Sequence, residues 1–254
     1  YISKMKEIVH SYSDLSFHKS IGEMIKRRSE NTQDIRSLAI SMVDWTNIKN
    51  ILDLGCGYGW FEAGLKGMFE RVTGIDCLPE NEQAFLAAAG RIALNPRFEH
   101  RLLPCALEMS DESFDLVVSA YSLYFFPEVI PEIKRVLKKG GFFLAITHSE
   151  SMLQEGERFF DFTNLRKVIQ GFSAENGREI LRSHFVDIQH VDFKNAIVFS
   201  RYEKKDLADY INFKREFISK DVDPSRVMLT MLDELERKGS MRFNKDDRIF
   251  LAKK

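Results

Sequence analysis

The sequence predicts an α/β fold built on a mostly parallel sheet, and three observations carry that prediction. Strand-like and helix-like segments alternate from residue 50 to residue 148. The stretch "ILDLGCGYGW" places three glycines in five positions directly after a short apolar run. Further on, "EVIPEIKRVLKK" has helical spacing and is followed by "GG" and the apolar run "FFLAITH".

Along the chain, residues 3 to 46 read as a polar, helical lead-in. "NILDL" is a short buried strand, and "GWFEAGLKGMF" has apolar residues at helical spacing, so a helix is expected from near Gly59. "RVTGID", a helix through "PENEQAFLAAAGRIAL", and "RFEHRLL" continue the pattern. "FDLVVSA", the "EVIPEIKRVLKK" helix with its glycine stop, and "FFLAITH" complete five β/α steps. Regularity then breaks over residues 149 to 172. "SAENGREILRSHF" reads as a helix capped by Ser173, and "VDIQHVDF" as an alternating strand. "AIVFS" is strand-like, a helix is expected near 204 to 218, and another from Pro224 to Lys238, capped by Asp223 and stopped by Gly239. "RIFLAKK" is the last strand. The expected organisation is one domain over 1–254, with a helical cap at 1–46, a ligand-binding core at 47–148, and lid or acceptor insertions at 149–172 and 201–240.

Composition narrows the function classes. A hydrophobic content of 44%, a charged content of 30% and a formal net charge of −1 describe an ordinary globular chain and disfavour a generally basic, nucleic-acid-coating surface. Cys56, Cys77 and Cys105 form no CxxC pair, which suggests neither a disulfide framework nor a zinc knuckle and fits reduced thiols in a cytoplasm. "YISKMKEIVHSYSDL" lacks the continuous apolar core of a signal peptide, nothing later has membrane-span length, and the start at Tyr1 rather than Met leaves room for residues upstream. No metal is expected from the residues present.

The glycine turn is where a ligand is expected. Gly55, Gly57 and Gly59 permit backbone closed to other residues and keep side chains away from whatever rests on the turn. A helix starting near Gly59 would add unpaired N–H groups and a dipole favouring an anionic or electron-rich ligand by roughly 0.3–1 kcal/mol. In an open sheet the ligand lies at the carboxyl ends of the strands, and the second strand ends in Asp76, placed to accept hydrogen bonds from ribose hydroxyls. That carboxylate would serve NAD or S-adenosylmethionine equally. The spacing GxGxG, with Trp60 where a dinucleotide fingerprint needs its third glycine, disfavours NAD.

These residues resemble the class I S-adenosylmethionine-dependent methyltransferases of the "DLGCGxG" group. "VTGID" is similar to the family's second-strand end, "DESFDLVVSAYSLYFF" to its fourth strand and following loop, and "IKRVLKKGGFFLAITH" to its fourth helix, turn and fifth strand, so the likeness covers about residues 50 to 148. It implies a Rossmann-like, seven-stranded sheet with helices on both faces and an antiparallel last strand, for which "RIFLAKK" is placed. It also implies S-adenosyl-L-methionine as cofactor, with the Gly55, Cys56, Gly57 and Gly59 turn against its methionine part and Asp53 on its ammonium, directly or through water. Asp76 would hold the ribose, Cys77 and Leu78 would border the adenine, and Ser119 with Ala120 would approach the methionine portion. Many relatives carry an acidic residue for the adenine amino group where this chain has Leu103, so that contact is expected from backbone around Cys105 and Ala106.

Methyl transfer from a sulfonium is an in-line displacement in which positioning, worth about 7–11 kcal/mol, outweighs a general base, worth about 10²–10⁴-fold. For a hydroxyl or protonated amine acceptor, His148 with Glu150 beyond it is the best-placed base and His18 the second. Tyr121, Tyr124 and Phe125 after the fourth strand, and Tyr12 in the lead-in, are the acceptor-pocket candidates, with ordinary core packing as the competing explanation. An "NPPY"-type loop is absent after the fourth strand, and Pro104–Cys105 stands before that strand, where a cytosine-C5 nucleophile would not be. The expected function is therefore methyl transfer to a small, partly apolar molecule. The alternatives are a tRNA- or protein-directed methyltransferase using a patch such as Lys26, Arg27 and Arg28, and a non-catalytic cofactor-binding partner subunit.

Overall fold

In the computed structural model, residues 8, 12–218 and 223–254 are described. Residues 3–7 and 9–11 of the expected lead-in helix lie outside them. Numbered along the chain, the described strands are β1 Asn50–Leu54, β2 Phe69–Asp76, β3 Ala93–His100, β4 Phe114–Ala120, β5 Leu137–His148, β6 Asp187–Phe193, β7 Ala196–Ser200, β8 Ser240–Asn244 and β9 Asp247–Lys253. The α-helices are α1 Leu15–Arg28, α2 Ile35–Ser41, α3 Glu82–Ala89, α4 Ile130–Val136, α5 Thr163–Ile169, α6 Gly177–Arg182, α7 Lys204–Phe213 and α8 Pro224–Lys238. Two compact units result.

The larger unit comprises Gln33–Glu150, Ile169–Phe193 and Asp247–Lys254. Its seven-stranded sheet has the order β3-β2-β1-β4-β5-β9-β6. β1 pairs in parallel with β2 and β4, β2 with β3 and β4 with β5, whereas β9 runs antiparallel to both β5 and β6. This is the Rossmann-like arrangement expected, with the "RIFLAKK" strand inserted between its neighbours. The central strands are apolar on both faces: Ile51, Leu52 and Leu54 of β1 and Leu116, Val117 and Val118 of β4 are fully buried. Strand order reverses at β1, so the carboxyl ends of β1, β2, β4 and β5 open on one crevice region.

Gly74 is set by close packing. A Cβ there would stand 2.5 Å from Phe85 Cζ and 2.6 Å from Cys56 Sγ, and both side chains are buried without room to retreat. Gly74→Ala is accordingly expected to cost about 1–3 kcal/mol of stability, read as a lower denaturant midpoint at unchanged slope.

Several expected elements differ. No α-helix follows Gly59; residues 56–61 form turns, and a 3₁₀ turn at Glu62–Gly64 ends with Leu65 extended. Three glycines at 59, 64 and 67 each cost a helix about 1 kcal/mol, and that density defeats the apolar spacing. α3 stops at Gly90, so β3 begins earlier than "RFEHRLL" suggested, and its Pro96 is tolerated because β3 is an edge strand. α4 ends at Val136 rather than at the glycines. Leu137 already pairs with Phe114, and Gly140–Gly141 sit in an irregularity of β5 tied to Lys254 by N–H to carbonyl bonds of 2.8 and 3.0 Å. Ser173 caps a turn, accepting from the N–H groups of Glu175 and Asn176, and α6 starts only at Gly177.

The other unit comprises the described part of Tyr1–Thr32, Ser151–Val168 and Lys194–Asp246, so the expected insertions contribute to it. α1 begins where Asp14 accepts from the Phe17 N–H at 2.9 Å, and the Ser29 bridge to Ile197 breaks the lead-in helix. β7 pairs antiparallel with β8, a strand not anticipated, outside the main sheet. α8 runs from Pro224 to Lys238, with Asp223 accepting from the Ser225 N–H and Gly239 left-handed at φ +83°, as expected. The helix expected near 204 to 218 ends at Phe213 and continues as a 3₁₀ turn at Arg215–Phe217. Among the described residues no helix is long and apolar enough to cross a membrane.

Candidate active site

The turn after β1 is held from beneath by β2. The N–H groups of Gly55 and Cys56 donate to the Ile75 carbonyl at 2.8 and 3.1 Å, and the Gly57 N–H donates to Asp76 Oδ2 at 2.9 Å. The expected array of unpaired N–H groups and helix dipole at this turn is therefore not what forms, because the glycine-dense segment turns instead of coiling. Asp76 Oδ1 also accepts from the Leu78 N–H at 2.8 Å and from Asn81 Nδ2 at 3.2 Å, so one carboxylate ties the turn, the strand end and the next loop together. Gly55, Gly57 and Gly59 all have positive φ, and a Cβ on Gly57 would meet nothing within 4 Å. The open side of Gly57 leaves room for a close approach to the backbone.

Under that turn lie two buried carboxyls. Asp53 of β1 is 2% exposed and Glu62 is 1% exposed. Asp53 Oδ1 and both Glu62 oxygens are buried without a hydrogen-bond partner among the described residues. Burial first, then the charges of Glu62 and Asp76, hold the Asp53 carboxyl well above the usual range. Burial pushes Glu62 up to about 7. The Cys56 thiol is raised by burial and by these same anions, and the Cys77 thiol is pushed up to about 11 by burial and Asp76, so both remain protonated and unreactive at neutral pH.

At the ends of β4 and β5 stands a second cluster. His148 Nδ1 lies 2.7 Å from Asp247 Oδ1, and Tyr121 donates its hydroxyl to Asp247 Oδ2 at 2.8 Å. Antiparallel pairing of β5 with β9 puts His148 directly opposite Asp247. Of the two imidazole tautomers, the one protonated on Nδ1 donates to Asp247 and carries its lone pair on Nε2. The Tyr121 ring stacks on the imidazole at 4.7 Å, Tyr124 at 5.8 Å, and Trp60 of the glycine turn reaches Tyr121 at 5.9 Å. Tyr121 has φ +60°, a left-handed conformation costly for an aromatic residue and held by its N–H bond to the Ile146 carbonyl at 2.8 Å. Burial and the Asp247 charge keep its hydroxyl protonated.

The remaining predicted residues divide clearly. Glu150 accepts from Ser173 Oγ at 2.9 Å and Gln170 Nε2 at 3.1 Å; the carboxylate on His148 Nδ1 is Asp247, not Glu150. Ser119 is fully buried and, with Ser122, directs its hydroxyl to the Leu54 carbonyl, which closes the end of β1 against β4. Ala120 and Phe125 are half-buried beside it, Leu78 follows Asp76, and Cys105 and Ala106 lie on the loop between β3 and β4. His18 and Tyr12 belong to the other unit, where both pack against Phe213 at 5.6 and 5.2 Å. Burial and the Lys214 charge lower His18 to about 4, which makes it a weak base, and burial raises the Tyr12 hydroxyl. Sequence reasoning missed Asp247 and Glu62. A register between "FFLAITH" and "RIFLAKK" would have found the first; an acid inside the apolar run "GWFEAGL" was the only signal for the second.

Residues 52–145 match the family described as a methyltransferase domain. Over those residues the chain carries the pattern of a methyltransferase domain. The chain is 32% identical over 123 residues to an uncharacterized methyltransferase of Schizosaccharomyces pombe, the match covering 45% of this chain and 44% of that one. It is 30% identical over 102 residues to the uncharacterized methyltransferase YcgJ of Bacillus subtilis, covering 39% and 40%. The matched stretch thus spans less than half the length of either curated relative. The crystal structure of YcgJ matches the fold with a TM-score of 0.61 at 18% identity, over 86% of this chain and 97% of that one. A phosphoethanolamine N-methyltransferase of Haemonchus contortus, solved with phosphomonomethylethanolamine and S-adenosylhomocysteine, matches it at 0.52 and 16% identity, over 87% and 52%.

S-Adenosylmethionine is the cofactor of this family, and the residues here fit it. Orphaned buried acceptors on Asp53 and Glu62 suit an ammonium, the open side of Gly57 suits a close backbone approach, and Asp76 ends β2 where a ribose would be met.

Proposed function

We propose that the protein transfers a methyl group from S-adenosylmethionine to a small-molecule acceptor bearing a hydroxyl or amine, with His148 as general base. The observation that carries this is the His148–Asp247 pair at 2.7 Å, at the carboxyl end of β5 and beside the strained Tyr121. The cofactor supplies an electrophilic methyl whose bond to sulfur breaks with the electron pair passing to sulfur. His148 Nε2 takes the proton lost by the acceptor, Asp247 stabilises the resulting imidazolium, and Tyr121 holds the second oxygen of Asp247 in place. The Asp53 region, the Gly55–Gly57 backbone and Ser119–Ala120 receive the methionine end, Asp76 the ribose, and the loops at Cys77–Leu78 and Cys105–Ala106 the adenine. Tyr121, Tyr124 and Phe125 face the acceptor.

Near-neutral charge and reduced thiols support a cytoplasmic enzyme of small molecules. Incubation with a metabolite extract and cofactor is expected to yield S-adenosylhomocysteine and one product heavier by a methyl group, seen by mass spectrometry. Turnover that requires added tRNA and declines steeply with salt would replace this acceptor class with nucleic acid, and cofactor binding without turnover on any extract would make the chain a non-catalytic subunit.

A further inference from the structure

We propose that Trp60 and Arg36 are positioning residues for the base: Arg36 holds the Trp60 ring, and Trp60 walls in Tyr121 so that its hydroxyl stays on the Asp247 carboxylate opposite His148. The inference rests on the reading of His148 as general base and deepens it, because neither the glycine spacing nor the resemblance gives the side chains of Trp60 and Arg36 a part in the chemistry.

Tyr121 is the member of the cluster that most needs support. Its φ of +60° is costly for an aromatic residue, and such a conformation persists only where the surroundings over-determine it. Its N–H is held by the Ile146 carbonyl at 2.8 Å and its hydroxyl by Asp247 at 2.8 Å. Its ring meets the imidazole at 4.7 Å and, from the glycine turn, the Trp60 indole at 5.9 Å. The imidazole is the group to be positioned, so the indole is the support that reaches the ring from outside the cluster.

Trp60 is in turn fixed from α2. The Arg36 guanidinium carbon lies 5.2 Å from the centre of the Trp60 ring, and Nη1 donates to the Trp60 carbonyl at 2.6 Å. One side chain thus grips both the ring and the backbone of the same residue. Two further observations show that this contact, and not an ion pair, sets the arginine's path. Gly64 has no left-handed φ to account for it, yet a Cβ there would stand 2.6 Å from both Cδ and Nε of Arg36, so the glycine keeps that path open. Arg36 Nε is buried with no hydrogen-bond partner among the described residues, and Asp34, which caps α2, comes only to 3.6 Å from Nη2. Without the indole wall Tyr121 is free to return to an ordinary φ. Its hydroxyl then leaves Asp247, and the His148 Nδ1–H bond to that carboxylate opens more often.

Exchange of the His148 imidazole proton with water reads that bond without any acceptor, by proton NMR on the downfield resonance that His148→Ala removes. Trp60→Ala is expected to speed this exchange about tenfold while the backbone amides of β5 keep their wild-type protection. Arg36→Met should act in the same direction by a few fold, and Trp60→Phe, which keeps an aromatic wall, should stay within about twofold of wild type. Adding Tyr121→Phe to Trp60→Ala should change nothing further, since the hydroxyl has already left Asp247. Wild-type exchange in Trp60→Ala, acceleration shared by the β5 amides, equal acceleration in Trp60→Phe, or a multiplied effect in the double variant overturns the proposal, as does a wild-type spectrum without the resonance. The base reading fails separately, on undiminished turnover of an extract by His148→Ala. Should Trp60→Ala not fold, Arg36→Met decides, and unchanged exchange there overturns the proposal.

Discussion

Asp76→Ala is expected to weaken S-adenosylhomocysteine binding by more than a hundredfold, to below detection in ordinary calorimetry. Two effects combine. In the proposed placement the carboxylate would offer charge-assisted bonds to the ribose hydroxyls, and hydrogen bonds to a charged group are worth about 1.5–3 kcal/mol each. It also fastens the Gly57 N–H, the Leu78 N–H and Asn81, so its removal loosens both the glycine turn and the loop after β2, the segments proposed to meet the methionine end and the adenine. Asp76→Asn separates the two contributions. Its amide oxygen still accepts from Gly57, but its NH₂ group faces the Leu78 and Asn81 donors, so binding should fall less than in the alanine variant. A folded Asp76→Ala protein with wild-type affinity would remove Asp76 from the cofactor site and, with it, the proposed placement of the ribose.

The second large effect belongs to Asp247. Asp247→Asn keeps the side-chain volume opposite His148 but presents an NH₂ donor to Nδ1, which drives the imidazole proton to Nε2 and away from the role of base. Turnover should fall by about 10²–10⁴-fold, the range for loss of a general base, while S-adenosylhomocysteine affinity stays within a few fold. His148→Ala should fall as far, and the double variant no further, since the two residues act as one unit. Tyr121→Phe removes one bond to Asp247 and should cost far less. Equal turnover in wild type and Asp247→Asn would leave positioning as the whole of catalysis in this enzyme.

The parts of this fold that were legible are those in which local pattern and burial agree. β1, β4 and the inner part of β5 are apolar on both faces and could be read directly, as could α8, which carries its start and stop signals in Asp223 and Gly239. Apolar spacing misled where glycine interrupts it, as after Gly59, where the chain lacks the conformational restraint to coil. It also misled at Leu137, where pairing with Phe114 took a helical residue into a strand. At the site, residues named by a local motif, from Asp53 to Asp76, fell together around one turn. Asp247 did not announce itself, because "KDDRIF" offers two adjacent aspartates and only pairing across a separation of 99 residues selects the one that meets His148. Glu150, just beyond His148 in sequence, was the more obvious partner, and it is spent on Ser173 and Gln170.

The place of β9 between β5 and the edge strand β6 carries a consequence for how the sheet is completed. The glycine turn and its carboxylates all precede residue 77, whereas the strand that bears Asp247 follows the other strands of that sheet in sequence and must slip between β5 and β6. A chain cut before β9 would thus keep the glycine turn while lacking the carboxylate opposite His148, so the two halves of the proposed site depend on widely separated stretches of sequence.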